Sequence, residues 1–371
     1  MKNKNSGILI VLVLPVLIML AACGTQKTEW KGTIEEENGV TIVKNPKEPM
    51  YGEDVFSLEE ELSIGEAEGR EEYMFSQIRS IAVDDTERIY VLEARESQVK
   101  VFDQNGSYIR SIGRKGQGPG ELDFPLSLSI TPKNELAVED FRSRRIAFFS
   151  LEGEFKKNLL TAKVGLARID IDSEGSMVGI VIVREEENPR YELKKFDSEL
   201  NYLHSLGSSP LPSASGGSFN PFMGIISSQI DNNDQVICGY PENYEIKIFD
   251  KDGKLRRKII KEYDPVEITK EEIAEETEGM PPDIKVSIPK YHSAYRGFIT
   301  DDEGRIYVMT WERTAEEEEN YYDVFDSEGK FIAKIFLKTR RFVLKNKKLY
   351  AVEEDEEGFL FIKRYKVTWK Y

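Results

Sequence analysis

Along most of the chain, apolar and polar residues alternate in short runs separated by clusters of Asp, Asn, Gly and Ser, while helical periodicity is almost absent. A period of two with turn clusters predicts β-strands. One unit stands out. Ile81-Ala82-Val83 is an apolar strand, Asp84 to Arg88 a polar turn, and Ile89-Tyr90-Val91 a second strand. Phe298-Ile299-Thr300-Asp301-Asp302-Glu303-Gly304-Arg305-Ile306-Tyr307-Val308 repeats it nearly residue for residue. Weaker copies start at Leu128, Ile169, Ser228 and Val343, which brings the copies to six.

Every copy but the last is followed by a further strand ending in a second turn. Those turns are Phe102-Asp103-Gln104-Asn105-Gly106, Phe149-Ser150-Leu151-Glu152-Gly153, Phe196-Asp197-Ser198-Glu199-Leu200, Phe249-Asp250-Lys251-Asp252-Gly253 and Phe325-Asp326-Ser327-Glu328-Gly329. Asp and Asn serve there through local side-chain hydrogen bonds, and Gly through its left-handed backbone. An outer strand follows each turn, so the unit is four antiparallel strands in roughly 40 to 50 residues, the size of a propeller blade. The predicted fold is all-β, a six-bladed β-propeller of four-stranded antiparallel blades over residues 46–371. The last copy, over 341–369, lacks a fourth strand. Residues 55–65, ahead of the first blade, have the character of an outer strand, and this N-terminal strand is expected to complete the last blade and remove two exposed edges. Residues 264–290 break the rhythm between blades four and five. Thr269 with Glu272 forms a capping box that opens a short acidic helix there.

The run Ile112-Gly113-Arg114-Lys115-Gly116-Gln117-Gly118-Pro119-Gly120-Glu121-Leu122 leads into a new inner strand and resembles the inter-blade signature of NHL-type repeats. With the six copies and the closing strand, the chain is similar to the bacterial 6-bladed β-propeller lipoprotein family. That resemblance implies a fold and an envelope location, and little about chemistry. The glycines are no phosphate cradle, because a strand follows them where a nucleotide fingerprint needs a helix.

The amino terminus carries an address. Lys2 and Lys4 precede an apolar run over 7–22 that contains Pro15, too short for an ordinary membrane span and suited to a signal peptide. It ends in Leu20-Ala21-Ala22-Cys23, which looks like a bacterial lipobox. Residues 1–22 are therefore read as a cleaved lipoprotein signal peptide. Cys23 is read as the lipidation site, its covalent lipid anchoring the protein to a membrane, since more than one acyl chain makes an anchor stable. Residues 23–45 then form a tether and a hairpin about Asn38-Gly39. The expected location is the cell envelope outside the cytoplasm. Gly24, in place of an inner-membrane retention Asp, favours the outer membrane if the organism has one.

Charge narrows the partners. The 371 residues carry 51 basic and 67 acidic side chains, net −16, and loss of Lys2 and Lys4 with the signal peptide makes this −18. Such a body repels phosphate backbones, so nucleic acid is not an expected partner. His204 and His292 are the only histidines, which argues against a zinc or copper site. The plentiful carboxylates leave room for calcium, although the obvious Asp pairs sit in repeated turns with a structural role. Cys238 lies in an apolar run and reads as a buried thiol. No catalytic constellation is visible.

One pattern suggests a ligand. Aligned on the first turn of each copy, Arg79 and Arg296 share one register near the start of the inner strand, and Arg168 and Arg340 share the next. Arginines at one channel mouth of an acidic chain would bind an anion through forked hydrogen bonds. Because neighbouring strand positions face opposite ways, not all four are expected to line the channel. The function expected from these readings is a membrane-anchored, non-catalytic binding or scaffolding module for a protein or small anionic ligand. The alternatives are a propeller hydrolase or lyase with a channel metal, and a sensor or assembly partner of an envelope complex.

Overall fold

The computed structural model describes residues 29–185, 189–212, 218–281, 283–313 and 320–371. The signal peptide over 1–22 and Cys23 lie outside the described residues. Strands β1 (Thr33–Glu37) and β2 (Val40–Asn45) form a hairpin whose turn residues Asn38 and Gly39 both take positive φ, as a two-residue turn demands. Strand β3 (Phe56–Ile64) follows. Blade one is β4 (Ile78–Val83), β5 (Ile89–Glu93), β6 (Gln98–Phe102) and β7 (Tyr108–Ile112). Blade two is β8 (Pro125–Ile130), β9 (Glu135–Asp140), β10 (Arg145–Ser150) and β11 (Phe155–Leu160). Blade three is β12 (Leu166–Ile171), β13 (Met177–Val183), β14 (Arg190–Phe196) and β15 (Tyr202–Pro210).

Blade four is β16 (Ser227–Ile230), β17 (Val236–Gly239), β18 (Glu245–Phe249) and β19 (Leu255–Lys261); the helix α1 (Lys270–Thr277) follows in the connection to blade five. Blade five is β20 (Gly297–Thr300), β21 (Ile306–Arg313), β22 (Asn320–Phe325) and β23 (Phe331–Leu337). Blade six contains β24 (Phe342–Lys345), β25 (Lys348–Glu354) and β26 (Leu360–Trp369), and its fourth strand is β3, paired antiparallel to β26 from Ile64↔Ile362 to Phe56↔Trp369. The closing strand expected from the sequence is therefore in place.

The hairpin does more than tether. β2 runs parallel to β19, which extends blade four to six strands with β1 at its edge. Asn45 at the end of β2 is buried; its Oδ1 accepts from the Trp30 indole at 2.9 Å and from Phe331 N–H at 2.7 Å, and its Nδ2 donates to the Gly329 carbonyl at 2.9 Å. One side chain thus ties the hairpin to blade five.

The repeated Asp residues do the local work the sequence suggested. Asp301 Oδ1 accepts from the backbone N–H of Glu303 and Arg305, and Oδ2 accepts from the Tyr307 hydroxyl at 2.9 Å. Asp84 makes the same set with Thr86, Arg88 and Tyr90. Between blades the apolar faces form six clusters, one for each junction around the ring. The seam between blades six and one, with Ile362, Ile64 and Tyr350 against Ile78, Ile81 and Ile89, is as dry as the rest. Closure joins the first and last blades through a continuous core and leaves free edges only on the innermost and outermost strands of each blade. Among the described residues, no helix is long and apolar enough to cross a membrane.

Candidate functional site: the arginine-lined mouth

Each inner strand begins at one face of the ring, and that face bears the central channel's mouth. There the starts of β12, β16, β20 and β24 and the connection from β19 to β20 surround a recess of roughly 590 Å³. Arg168, Arg296 and Arg340 all line it, joined by Arg313 at the end of β21. Strand alternation does not separate the two registers here, for local reasons. β12 carries a bulge between Ala167 and Asp170, and Arg168 within it takes a positive φ of 55°. Arg340 precedes β24, so its direction is set by a loop and not by a pleat. Arg79 is the arginine that stays out of the recess. Its guanidinium lies 4.4 Å from the centre of the Phe124 ring, at the junction of blades one and two.

The wall beside Arg296 is built on Trp311 of β21. His292 stacks parallel on the indole, ring centres 3.8 Å apart and planes within 9°, and the Arg296 guanidinium lies 4.5 Å from the same ring. His292 Nε2 meets Glu272 Oε2 at 3.2 Å, and Glu272 Oε1 accepts from Arg313 at 3.0 Å. The carboxylate that joins them comes from α1, positioned because Thr269 and Glu272 cap the helix reciprocally. Burial works against the charge of Glu272, but the Thr269 N–H and His292 outweigh it and hold the carboxyl below its usual range. Burial lowers the pKa of His292, a shift Glu272 opposes and Arg296 and Arg313 reinforce. The imidazole Nδ1 is buried and without a hydrogen-bond partner.

Arg296 differs from the other enclosed cations. Arg145 pairs with Asp140 at 3.1 Å, Lys195 with Asp172 at 2.8 Å and Lys261 with Asp323 at 3.3 Å. Among the described residues no carboxylate lies within ion-pair distance of the guanidinium of Arg296 or of Arg168, although the Arg168 backbone N–H donates to Glu139 at 3.1 Å, and Arg340 donates to the neutral Asn320 side chain at 2.9 Å. Burial, followed by repulsion from Arg340 and Arg313, pushes Arg296 down to about 10. A half-buried cation beside two others, with no carboxylate partner among the described residues, leaves its charge uncompensated at this wall.

Sequence reasoning missed Arg313, Trp311 and the role of His292. Their convergence depends on the pairing of β21 and the path of the 264–290 connection, which no repeat register encodes. It also missed Asp170, just below Arg168, which hydrogen-bonds Ser228 across the inner strands at 3.4 Å and is pushed up to about 7, by burial first and by Glu139 second. Among the described residues, no three of His, Cys, Asp and Glu gather as metal ligands would. His204 and His292 lie in different parts of the ring, His204 on β15 against the turn at Gly253.

Residues 66–178 match the family described as 6-bladed beta-propeller. The chain is a six-bladed β-propeller. No curated protein matches it. Among solved structures, this propeller is similar to a protein named as exported, from Bacteroides fragilis, with 12% identity over 89% of this chain and 100% of the other and a TM-score of 0.58. It is also similar to a DUF4221-family member from Bacteroides vulgatus, with 12% identity over 86% and 100% of the two chains and a TM-score of 0.54. At that identity the likeness concerns the fold, and a shared fold does not carry a shared activity.

Proposed function

We propose that this propeller is an exported, lipid-anchored binding module of the cell envelope, non-catalytic, whose channel mouth holds an anionic ligand. The observation that carries the reading is Arg296: half-buried, flanked by Arg340 and Arg313, and without a carboxylate partner among the described residues while other enclosed cations have one. An anion arriving there gains charge-assisted hydrogen bonds from guanidinium groups already held in place by Trp311 and Asn320. Arg168 supplies a further cation across the mouth. The Leu20-Ala21-Ala22-Cys23 sequence supports the anchor, and a lipid on Cys23 would hold the propeller at a membrane surface through the residues that precede β1.

Calorimetric titration of the purified protein with inorganic phosphate and acetate tests the ligand class. Binding that weakens at least tenfold in Arg296→Ala and changes little in Arg79→Ala is the expected result, because Arg79 lies outside the recess. Absence of any heat with both anions sets the reading aside. The anchor is tested separately by labelling cells with radioactive palmitate, which should mark the wild-type chain and not Cys23→Ala.

A further inference from the structure

Resting on that reading of the mouth, we infer that the ligand is an amphiphilic monoanion: one carboxylate head joined to an uncharged, apolar body. The head is set by the guanidinium cluster. Arg296, Arg340 and Arg168 lead into or stand on three different blades and line one recess, and Arg340 is close enough for its charge to weigh on Arg296.

The body is set by another stretch of the lining. Pro221, Met223 and Ile225, in the connection from β15 to β16, are partly exposed and line the same recess, and Met309 of β21 faces it too. Much of the remaining lining is charged or polar, so this apolar stretch is the part of the recess that a carbon skeleton can cover. Two methionines among the apolar residues give a surface that adapts to shape. The indole of Trp311 is already covered by His292 and Arg296, so the apolar body packs on the Met223–Ile225 side and not on that ring.

The rim sets the limit of one charge. α1 brings the exposed carboxylates Glu275 and Glu276 to the recess beside Glu272, whose charge is spent on Arg313 and His292. A ligand with several negative charges would meet these two carboxylates as its head reached Arg296. A single head passes them, and a neutral body lies against them without penalty.

The test compares four probes on the purified full chain by calorimetry: inorganic phosphate, acetate, 4-phenylbutyrate and its neutral amide, 4-phenylbutyramide. The expected result is that 4-phenylbutyrate binds at least tenfold more tightly than acetate or phosphate, and that the amide does not bind measurably. Met223→Ser and Ile225→Ser, tested singly so that neither depends on the other's folding, should remove most of that advantage and leave phosphate binding unchanged. Arg296→Gln should weaken every anion at least tenfold. If phosphate or acetate binds as tightly as 4-phenylbutyrate, the amphiphile is overturned while the anion site stands. If the amide matches the acid, or if neither phosphate nor acetate binds, both this inference and the reading of the mouth as an anion site fail.

Discussion

The indole of Trp369 lies against the ring of Phe56, ring centres 4.9 Å apart and planes at 60°, so the last strand of the sequence and one that precedes the first blade complete a single sheet. The same sheet places Ile362 opposite Ile64, both buried in the cluster shared with Ile78 of blade one. The ring is thus held shut by apolar packing as well as by the β3–β26 ladder. Ile362→Ala should lower stability by about 3 kcal/mol, the usual cost of deleting a buried branched side chain and leaving a cavity. Ile34→Ala, on the exposed edge strand β1, should change it by less than about 0.5 kcal/mol. Midpoints of urea unfolding followed by tryptophan fluorescence compare the two, and equal shifts would mean the seam is not where closure is held.

Asn45 yields a second prediction. Its removal leaves the Phe331 N–H without an acceptor in a buried place, so Asn45→Ala should cost about 2 kcal/mol. Asn45→Asp should cost more, since it sets a carboxylate oxygen where Nδ2 now donates to the Gly329 carbonyl. Burial raises the folded-state pKa of such an Asp above its unfolded value. The folded chain then keeps a proton that the unfolded chain has released, and stability falls as pH rises through that interval. Unfolding midpoints at pH 5 and pH 8 should therefore differ more in Asn45→Asp than in Asn45→Ala.

How far the sequence reached follows from how local each signal is. The turns at Asp84 and Asp301 were legible because the carboxylate bonds N–H groups two and four residues on, a code complete within five residues. The capping box at Thr269 and Glu272 was legible for the same reason. The closing strand β3 was legible by subtraction, because six copies supplied one strand too few at the end. The arginine registers were legible because superposed repeats share a mouth, yet their directions were not. A bulge at Arg168 and a loop at Arg340 override strand alternation, and Arg79 settles on Phe124 instead. The parallel pairing of β2 with β19 joins segments with no shared pattern, so nothing in either segment announces it.

Asp170 makes the stability of the propeller depend on pH around neutrality. Its carboxyl is pushed from an ordinary 3.8 to about 7, first by burial and then by Glu139. Between those values the folded state holds a proton that the unfolded state lacks, so this group's contribution declines as pH rises from about 4 to about 7 and is level above that. Asp170→Asn should match the wild type near pH 4 and exceed it at pH 8 by on the order of 2 kcal/mol, a figure reduced for water in the channel. Unfolding midpoints across that range check it, and parallel profiles for the two proteins would contradict it.

Counting thiols tests the core and the anchor together. Cys238 is buried in β17 among Val236, Val178 and Phe249, and burial pushes its thiol up to about 12. At pH 8 it carries almost no thiolate, the form that reacts, and no reagent reaches it. Folded protein isolated from membranes should therefore give no colour with Ellman's reagent. After unfolding in guanidinium it should give one thiol per chain, from Cys238, because a thioether to lipid would silence Cys23. Cys238→Ser should then give none. Two thiols in the unfolded wild type would mean that Cys23 carries no lipid, and one in a folded protein that also gives only one when unfolded would mean that β17 is not packed as described.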